Sequence, residues 1–255
     1  YAHFDYFPFF LGDKMVREPR ISAFATCNGI HLSSALLRTK FTKTEWDLYQ
    51  KIWLQHAAES NRKNDATLRS SSVGRIFDAV SSLLNICDKQ SFEGQAAMLL
   101  EEQASRYIKL HGRQMLQGYF EAGHYNYIPT TVLMNGIVKD IQQGKSVSYV
   151  AAKFHFSLVQ IIDMVAEDIG VNKITFSGGV FLNGVLVDLL RYHLSGKYQL
   201  YFHKELSPND ENISFGQMVY YDNKIAGVNK MERSLESLSD RGSLGEFSKR
   251  LKPDN

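Results

Sequence analysis

Cysteine is scarce in this chain: Cys27 and Cys87 stand alone and far apart. Two such residues exclude a disulfide scaffold and a zinc-finger cluster. They fit a reducing, cytoplasmic compartment, with both thiols as small buried residues. An excess of one charge is also missing. Against 29 Lys and Arg stand 27 Asp and Glu, a formal net charge of +2, so no nucleic-acid or membrane partner is implied. No apolar run reads as a membrane span, and no secretory signal opens the chain. Two phosphate-binding signatures are absent as well. There is no Walker-type glycine–lysine loop, and the one glycine turn of interest lacks the third glycine of the dinucleotide fingerprint.

What remains is ordinary for a globular chain of 255 residues: 44% hydrophobic and 22% charged, enough for a sizeable core in one large domain or two small ones. The first residue is Tyr1, and the aromatic-rich opening to Phe10 carries no helix or strand start signal. It reads as an extended segment of a piece cut from a longer chain. Gly12 to Pro19 reads as a charged loop ending at the proline. Apolar spacing then predicts helices over 20–40, 44–57, 74–88 and 91–105. The polar stretch 61–72 reads as a loop, and 113–128 as a hairpin turning at Ala122-Gly123. Pro129 and the threonines after it open a helix over 131–143. Val147, Val150, Phe154, Leu158, Ile161 and Ile169 trace one face of another, closed by Gly170. His155 follows that apolar face and reads as a hydrogen-bonded core residue. A strand at 199–203, a loop at 207–210, a helix over 213–221 and a loose tail over 227–255 complete the chain.

The stretch of most chemical interest is Ile174-Thr175-Phe176-Ser177-Gly178-Gly179-Val180-Phe181-Leu182-Asn183. It reads as a strand, a tight glycine turn and the first turn of a helix whose apolar face holds Leu186, Leu189, Leu190 and Leu194. Unpaired N–H groups at such a helix start attract a phosphate, an adenylate or a carboxylate. A plain structural turn accounts for the same pattern. Taken with the strand that follows, the second half suggests an α/β layer joined to a mostly helical block.

Four stretches then line up in order: Gly12-Asp13-Lys14 through Pro19, Gly74-Arg75-Ile76-Phe77-Asp78-Ala79-Val80, Phe92-Glu93-Gly94-Gln95, and Ser177 to Asn183 with Pro208-Asn209-Asp210 downstream. Together they resemble the carbamoyltransferase part of the HypF family of nickel–iron hydrogenase maturation proteins. More distantly, the glycine loop and the Phe77-Asp78 helix resemble the tRNA threonylcarbamoyl-adenosine transferases. The resemblance implies an actin/Hsp70-like α/β fold of two ribonuclease-H-like lobes, of which this chain is a part. Residues 1–20 would end the first lobe, 21–112 form a helical block, 113–226 form the lobe with the glycine loop, and 227–255 a tail.

Function follows from the same resemblance. Ser177, Gly178, Gly179 and Asn183 would hold the phosphate and acyl end of a carbamoyl-adenylate made from carbamoyl phosphate and ATP. Asp78 and Gly94 would line the nucleoside side, with Glu93 toward the ribose. Asp210 would ligate a divalent metal (iron, zinc or magnesium) in the intact protein, absent from the fragment. The acceptor would be the cysteine of a HypE-like protein, and upstream domains of the same polypeptide would be partners. No catalytic nucleophile or base is named.

The sequence departs from the family pattern at three points. The eight histidines contain no closely spaced pair for the metal, so those ligands would lie upstream of Tyr1. Glu211-Asn212 replaces the usual glycine pair, and Leu182 stands where glutamine is common. The isolated piece is therefore expected to be inactive. Two other readings stay open: an O-carbamoyltransferase acting on a small molecule, and a nucleotide-binding module without turnover.

Overall fold

The computed structural model describes residues 1–30, 33–59, 68–114 and 117–225. Two segments begin the chain, β1 (His3–Phe4) and β2 (Phe7–Pro8). The stretch expected to be a charged loop is instead helical, with α1 (Asp13–Arg17) followed by α2 (Pro19–Cys27). Proline is at home on the first helical turn, where its missing N–H is one of the groups a helix leaves unpaired. Pro19 thus starts a helix rather than ending a loop. All nine residues of α2 are buried, Arg20 included. Its guanidinium donates to the Glu18 and Glu45 carboxylates at 2.5 and 2.7 Å and to the Lys40 carbonyl at 2.7 Å.

Next come α3 (Ser34–Arg38), α4 (Lys43–Glu59), β3 (Arg69–Ser70), α5 (Val73–Leu83) and α6 (Gln95–His111). The second half holds β4 (Tyr127–Ile128), α7 (Thr130–Gln142), α8 (Val147–Ile169), β5 (Lys173–Thr175), α9 (Gly184–Leu194) and β6 (Gln199–Tyr201). A last helix covers 213–225. Much of the expected loop at 61–72, and all of the expected tail at 227–255, lie outside the described residues.

The helices form a continuous stack: α2 on α5, α5 on α6, α6 on α8, and α8 on α9. One hydrophobic core runs through it, with Phe24, Phe77 and Phe154 fully or almost fully buried. The Phe77 and Phe154 rings meet edge to face at 4.8 Å, a preferred aromatic geometry. Helix α8 is capped at both ends. The Ser146 side chain accepts from the Tyr149 N–H, and Gly170 at φ +72° returns its N–H to Ala166. By length and composition α8 could cross a membrane, contrary to the expectation that no run is apolar enough. In this fold 56% of its most apolar window is buried against other elements, as in the core helix of a globular domain.

The strands are short and form three separate pairs. β1 lies parallel to β4, β2 antiparallel to β3, and β5 parallel to β6 with Ile174 opposite Leu200. Helix α9 makes the crossover of the last pair, which gives the expected strand–helix–strand unit. The expected hairpin over 113–128 is not formed. β4 crosses to β1, 124 residues earlier in register, while the segment before it is pinned to α8. There the Tyr119 N–H donates to Ser157 Oγ, and Gln160 donates to the Phe120 carbonyl. The architecture is a helix-rich α/β fold.

Candidate functional site

The glycine loop is anchored by aromatic side chains on both flanks. Phe176 is buried, stacks on Phe202 at 4.5 Å and touches Phe181 at 5.1 Å. Between these anchors the backbone makes its turn. Gly178 sits at φ +111°, ψ 155°, a region essentially reserved for glycine, and nothing lies where its Cβ would be. Its N–H donates to the Pro208 carbonyl at 2.7 Å, and Asn209 lies beside Gly179. The fold therefore brings Gly178-Gly179 and Pro208-Asn209-Asp210 together, as two neighbouring loops beyond the β5–β6 pair.

A 3-10 turn (Gly179–Leu182) follows before α9 begins. The expected direct passage from glycine turn to helix is thus lengthened by one tight turn. Phe181 N–H donates to Gly178, and Asn183 N–H to Val180. The first two amides of the turn, Gly179 and Val180, have no acceptor among the described residues. Ser177 and Gly179 are exposed.

The helix start itself is already engaged. Glu101, from α6, accepts the Gly184 and Val185 N–H groups at 2.8 and 3.2 Å. Asn183 is the N-cap residue: its Oδ1 accepts the Leu186 N–H at 2.8 Å. On the other side, its Nδ2 lies 3.0 Å from His155 Nε2. His155 Nδ1 lies 2.8 Å from the Ala151 carbonyl, which can only accept, so Nδ1 carries the proton and Nε2 accepts from Asn183. Burial holds this imidazole well below its ordinary value of 6.5, at about 4, and keeps it neutral. Any anion drawn to this region is thus offered the turn amides rather than the α9 terminus, which Glu101 covers.

Asp78 lies on α5, which packs against the 3-10 turn. It is 2% exposed, and burial raises its carboxyl from 3.8 to about 7, although the Arg75 guanidinium at 2.6 Å pulls the other way. That contact is poorly aligned for a hydrogen bond, so Asp78 Oδ2 and Arg75 Nη1 touch as charges while their hydrogen-bonding capacity stays unmet. Ring contact between Phe77 and His155, 5.3 Å between centroids, links Asp78's helix to the Asn183 anchor. Gly94 is the N-cap of α6 at φ +81°, and Glu93 before it is exposed. Neither is hydrogen-bonded to the glycine loop among the described residues; they precede α6, about two turns before Glu101.

Asp210 begins a short 3-10 turn and is exposed. No group of three or more His, Cys, Asp or Glu side chains able to hold a metal occurs among the described residues. One carboxylate does not make a divalent-cation site, so the residues of this chain do not by themselves fit the expected metal. Reasoning from sequence missed Glu101, the Pro208 carbonyl and Arg75. The first two act across 83 and 30 positions, and nothing local in the sequence signals them.

Comparison with known proteins gives the family of the chain. A family model described as carbamoyltransferase, Kae1-like domain, second subdomain, matches residues 1–217. Carbamoyltransferase HypF of Synechocystis is 29% identical over 154 residues, which is 59% of this chain and 19% of that protein. Carbamoyltransferase HypF2 of Cupriavidus necator is 30% identical over 173 residues, 58% of this chain and 21% of its own. The chain spans about a fifth of the length of these relatives. A crystal structure of full-length HypF in a phosphate- and nucleotide-bound form has a TM-score of 0.69 at 28% identity, covering 88% of this chain and 29% of that one. The structure of T. kodakarensis HypF, at 23% identity, shares the fold with a TM-score of 0.68 over 89% of this chain and 30% of that one. The chain belongs to the Kae1-like carbamoyltransferase domain family and carries its second subdomain.

Proposed function

We propose that the intact protein moves a carbamoyl group from carbamoyl-adenylate, made from carbamoyl phosphate and ATP, to the C-terminal cysteine of a HypE-like acceptor. In that reaction the thiolate attacks the carbamoyl carbon, the bond from that carbon to the phosphate oxygen breaks, and the adenylate leaves. This chain would supply one side of the pocket within an actin/Hsp70-like pair of lobes, divided at about residues 20, 112 and 226. The other side, with further metal ligands to join Asp210, would come from upstream domains of the same polypeptide.

The observation that carries this reading is the pair of amides at Gly179 and Val180, without an acceptor among the described residues and beside an exposed Ser177. Amides fixed in place can stabilise phosphate charge on bound and departing adenylate without reorganising. Asp78, buried with unmet hydrogen-bonding capacity, suits a ribose hydroxyl. Gly94 and Glu93 extend the nucleoside side, and Asn183 braces the loop from below. The full-length nucleotide-bound relative supports the ligand class.

ATP titration by calorimetry against the full-length protein tests the reading. A Cβ at Gly179 would meet Asn209 only at an ordinary 3.9 Å, so Gly179→Val should fold. Its branched side chain would crowd the amides, and ATP affinity should fall at least about tenfold. Unchanged affinity would refute the placement. The 255-residue chain alone should give no carbamoylated acceptor in a turnover assay.

A further inference from the structure

His155 has no part in the proposed ligand contacts, yet both of its ring nitrogens are engaged beside the loop. It is 0% exposed, and its ring lies against Phe77 at 5.3 Å and Phe154 at 5.5 Å. The Ala151 carbonyl fixes its tautomer. Its remaining acceptor, Nε2, is spent on Asn183, which closes the 3-10 turn bearing the Gly179 and Val180 amides.

We propose that His155 is a positioning residue for the anion loop: by accepting the Asn183 Nδ2–H bond it sets where the turn ends and hence where the Gly179 and Val180 amides aim. This rests on the reading that nucleotide phosphate meets that loop.

The choice of Asn at position 183 supports the argument. Capping α9 needs only an acceptor, and Ser or Asp would serve as well. Serine is too short to span from the Leu186 N–H to His155. Aspartate is an acceptor on both sides and would demand a protonated imidazole in a dry site. Asparagine alone among these caps presents an oxygen to Leu186 and an N–H to His155 together. At the other end of the turn the backbone is tied by Gly178 to Pro208. The loop is therefore held at both ends, and its far anchor is a core histidine that never meets ligand.

The test is ATP titration of the full-length protein at a temperature where thermal unfolding shows each variant folded. His155→Phe keeps the ring but removes the acceptor, and Asn183→Ser keeps the cap but loses the reach. Each should weaken ATP binding about tenfold, the scale of one buried hydrogen bond whose partner is left unpaired. The double variant should bind no more weakly than either single one, since both cut the same link. His155→Gln, which can place an amide oxygen near the Nε2 position, should recover most of the loss. A packing role alone would not be rescued that way. Folded His155→Phe with wild-type affinity, or additive losses in the double variant, overturns the proposal. Should His155→Phe not fold, weak binding by Asn183→Ser alongside near-normal His155→Gln supports it, and equal losses in the two overturn it. If Gly179→Val fails to weaken ATP, the site assignment falls and this proposal with it. If Gly179→Val weakens ATP and His155→Phe does not, only the proposal falls.

Discussion

Asp78→Asn separates two titrations that oppose each other in the same core. Burial lifts the Asp78 carboxyl from 3.8 to about 7. Folding therefore favours its protonated form, and the stability this gives is present below pH 3.8 and lost as the pH rises to about 7. At about 1.4 kcal/mol per pH unit, the ionised carboxylate costs the fold about 4 kcal/mol above pH 7. Arg75's attraction is already contained in that value. His155 runs the other way. Its depressed value of about 4, against an ordinary 6.5, weakens the fold by about 3 kcal/mol as the pH falls from 6.5 to 4. Between pH 4 and 6.5 the two slopes nearly cancel, and the wild-type chain shows little net dependence from this pair. Asparagine resembles the protonated carboxyl at every pH. Asp78→Asn should therefore be more stable than wild type at pH 8 by about 2 to 4 kcal/mol. It should also unmask the histidine, gaining stability from pH 4 to 6.5 where wild type does not. Urea unfolding of both chains at half-unit steps from pH 4 to 8 measures both effects: the histidine shows in the Asp78→Asn curve itself, and the difference curve, in which titrations common to both cancel, isolates Asp78. A flat difference, or an Asp78→Asn chain weaker than wild type at pH 8, refutes the reasoning. A gain would also mean that the native chain keeps a destabilising acid, which is how groups reserved for ligand commonly behave.

Four further outcomes follow from the geometry. Glu101→Ala should lower stability by about 1 kcal/mol, since it bares the Gly184 and Val185 amides that a carboxylate at a helix start satisfies; urea unfolding reads the loss. Inorganic phosphate should then raise the melting temperature of that variant more than that of wild type. Gly178→Ala should cost about 1 to 3 kcal/mol through backbone strain alone, because its φ of +111° disfavours any Cβ although the space is open; thermal unfolding with retained circular dichroism checks it. Arg20→Ala should cost about 3 to 5 kcal/mol, as it leaves the Glu18 and Glu45 carboxylates facing each other around a buried gap, and a loss under 1 kcal/mol in urea would contradict the buried-pair account.

How far the sequence could be read depends on the range of the interactions at each point. Helix α8 was legible almost residue by residue, because its apolar stripe and its Gly170 stop act within a few positions. The glycine turn was legible for the same reason: the φ of Gly178 is a local demand that only glycine meets cheaply. The hairpin expected over 113–128 failed because β4 pairs with β1, a partner more than 120 positions away that no local pattern announces. Gly12 to Pro19 misled differently. Charge and proline suggest a loop, but proline at a first turn and the burial of Arg20 between two carboxylates favour a helix. At the site, spacing identified the loop and the Phe77-Asp78 helix but not what tunes them. Glu101 covers the helix start from α6, and His155 holds Asn183 from α8, so an anion meeting this region would be offered two turn amides rather than the α9 terminus. The residues that would touch ligand announce themselves locally, while those that aim them are distributed through the core. Substitutions at Glu101 and His155 should therefore shift ligand affinity at a loop they do not belong to.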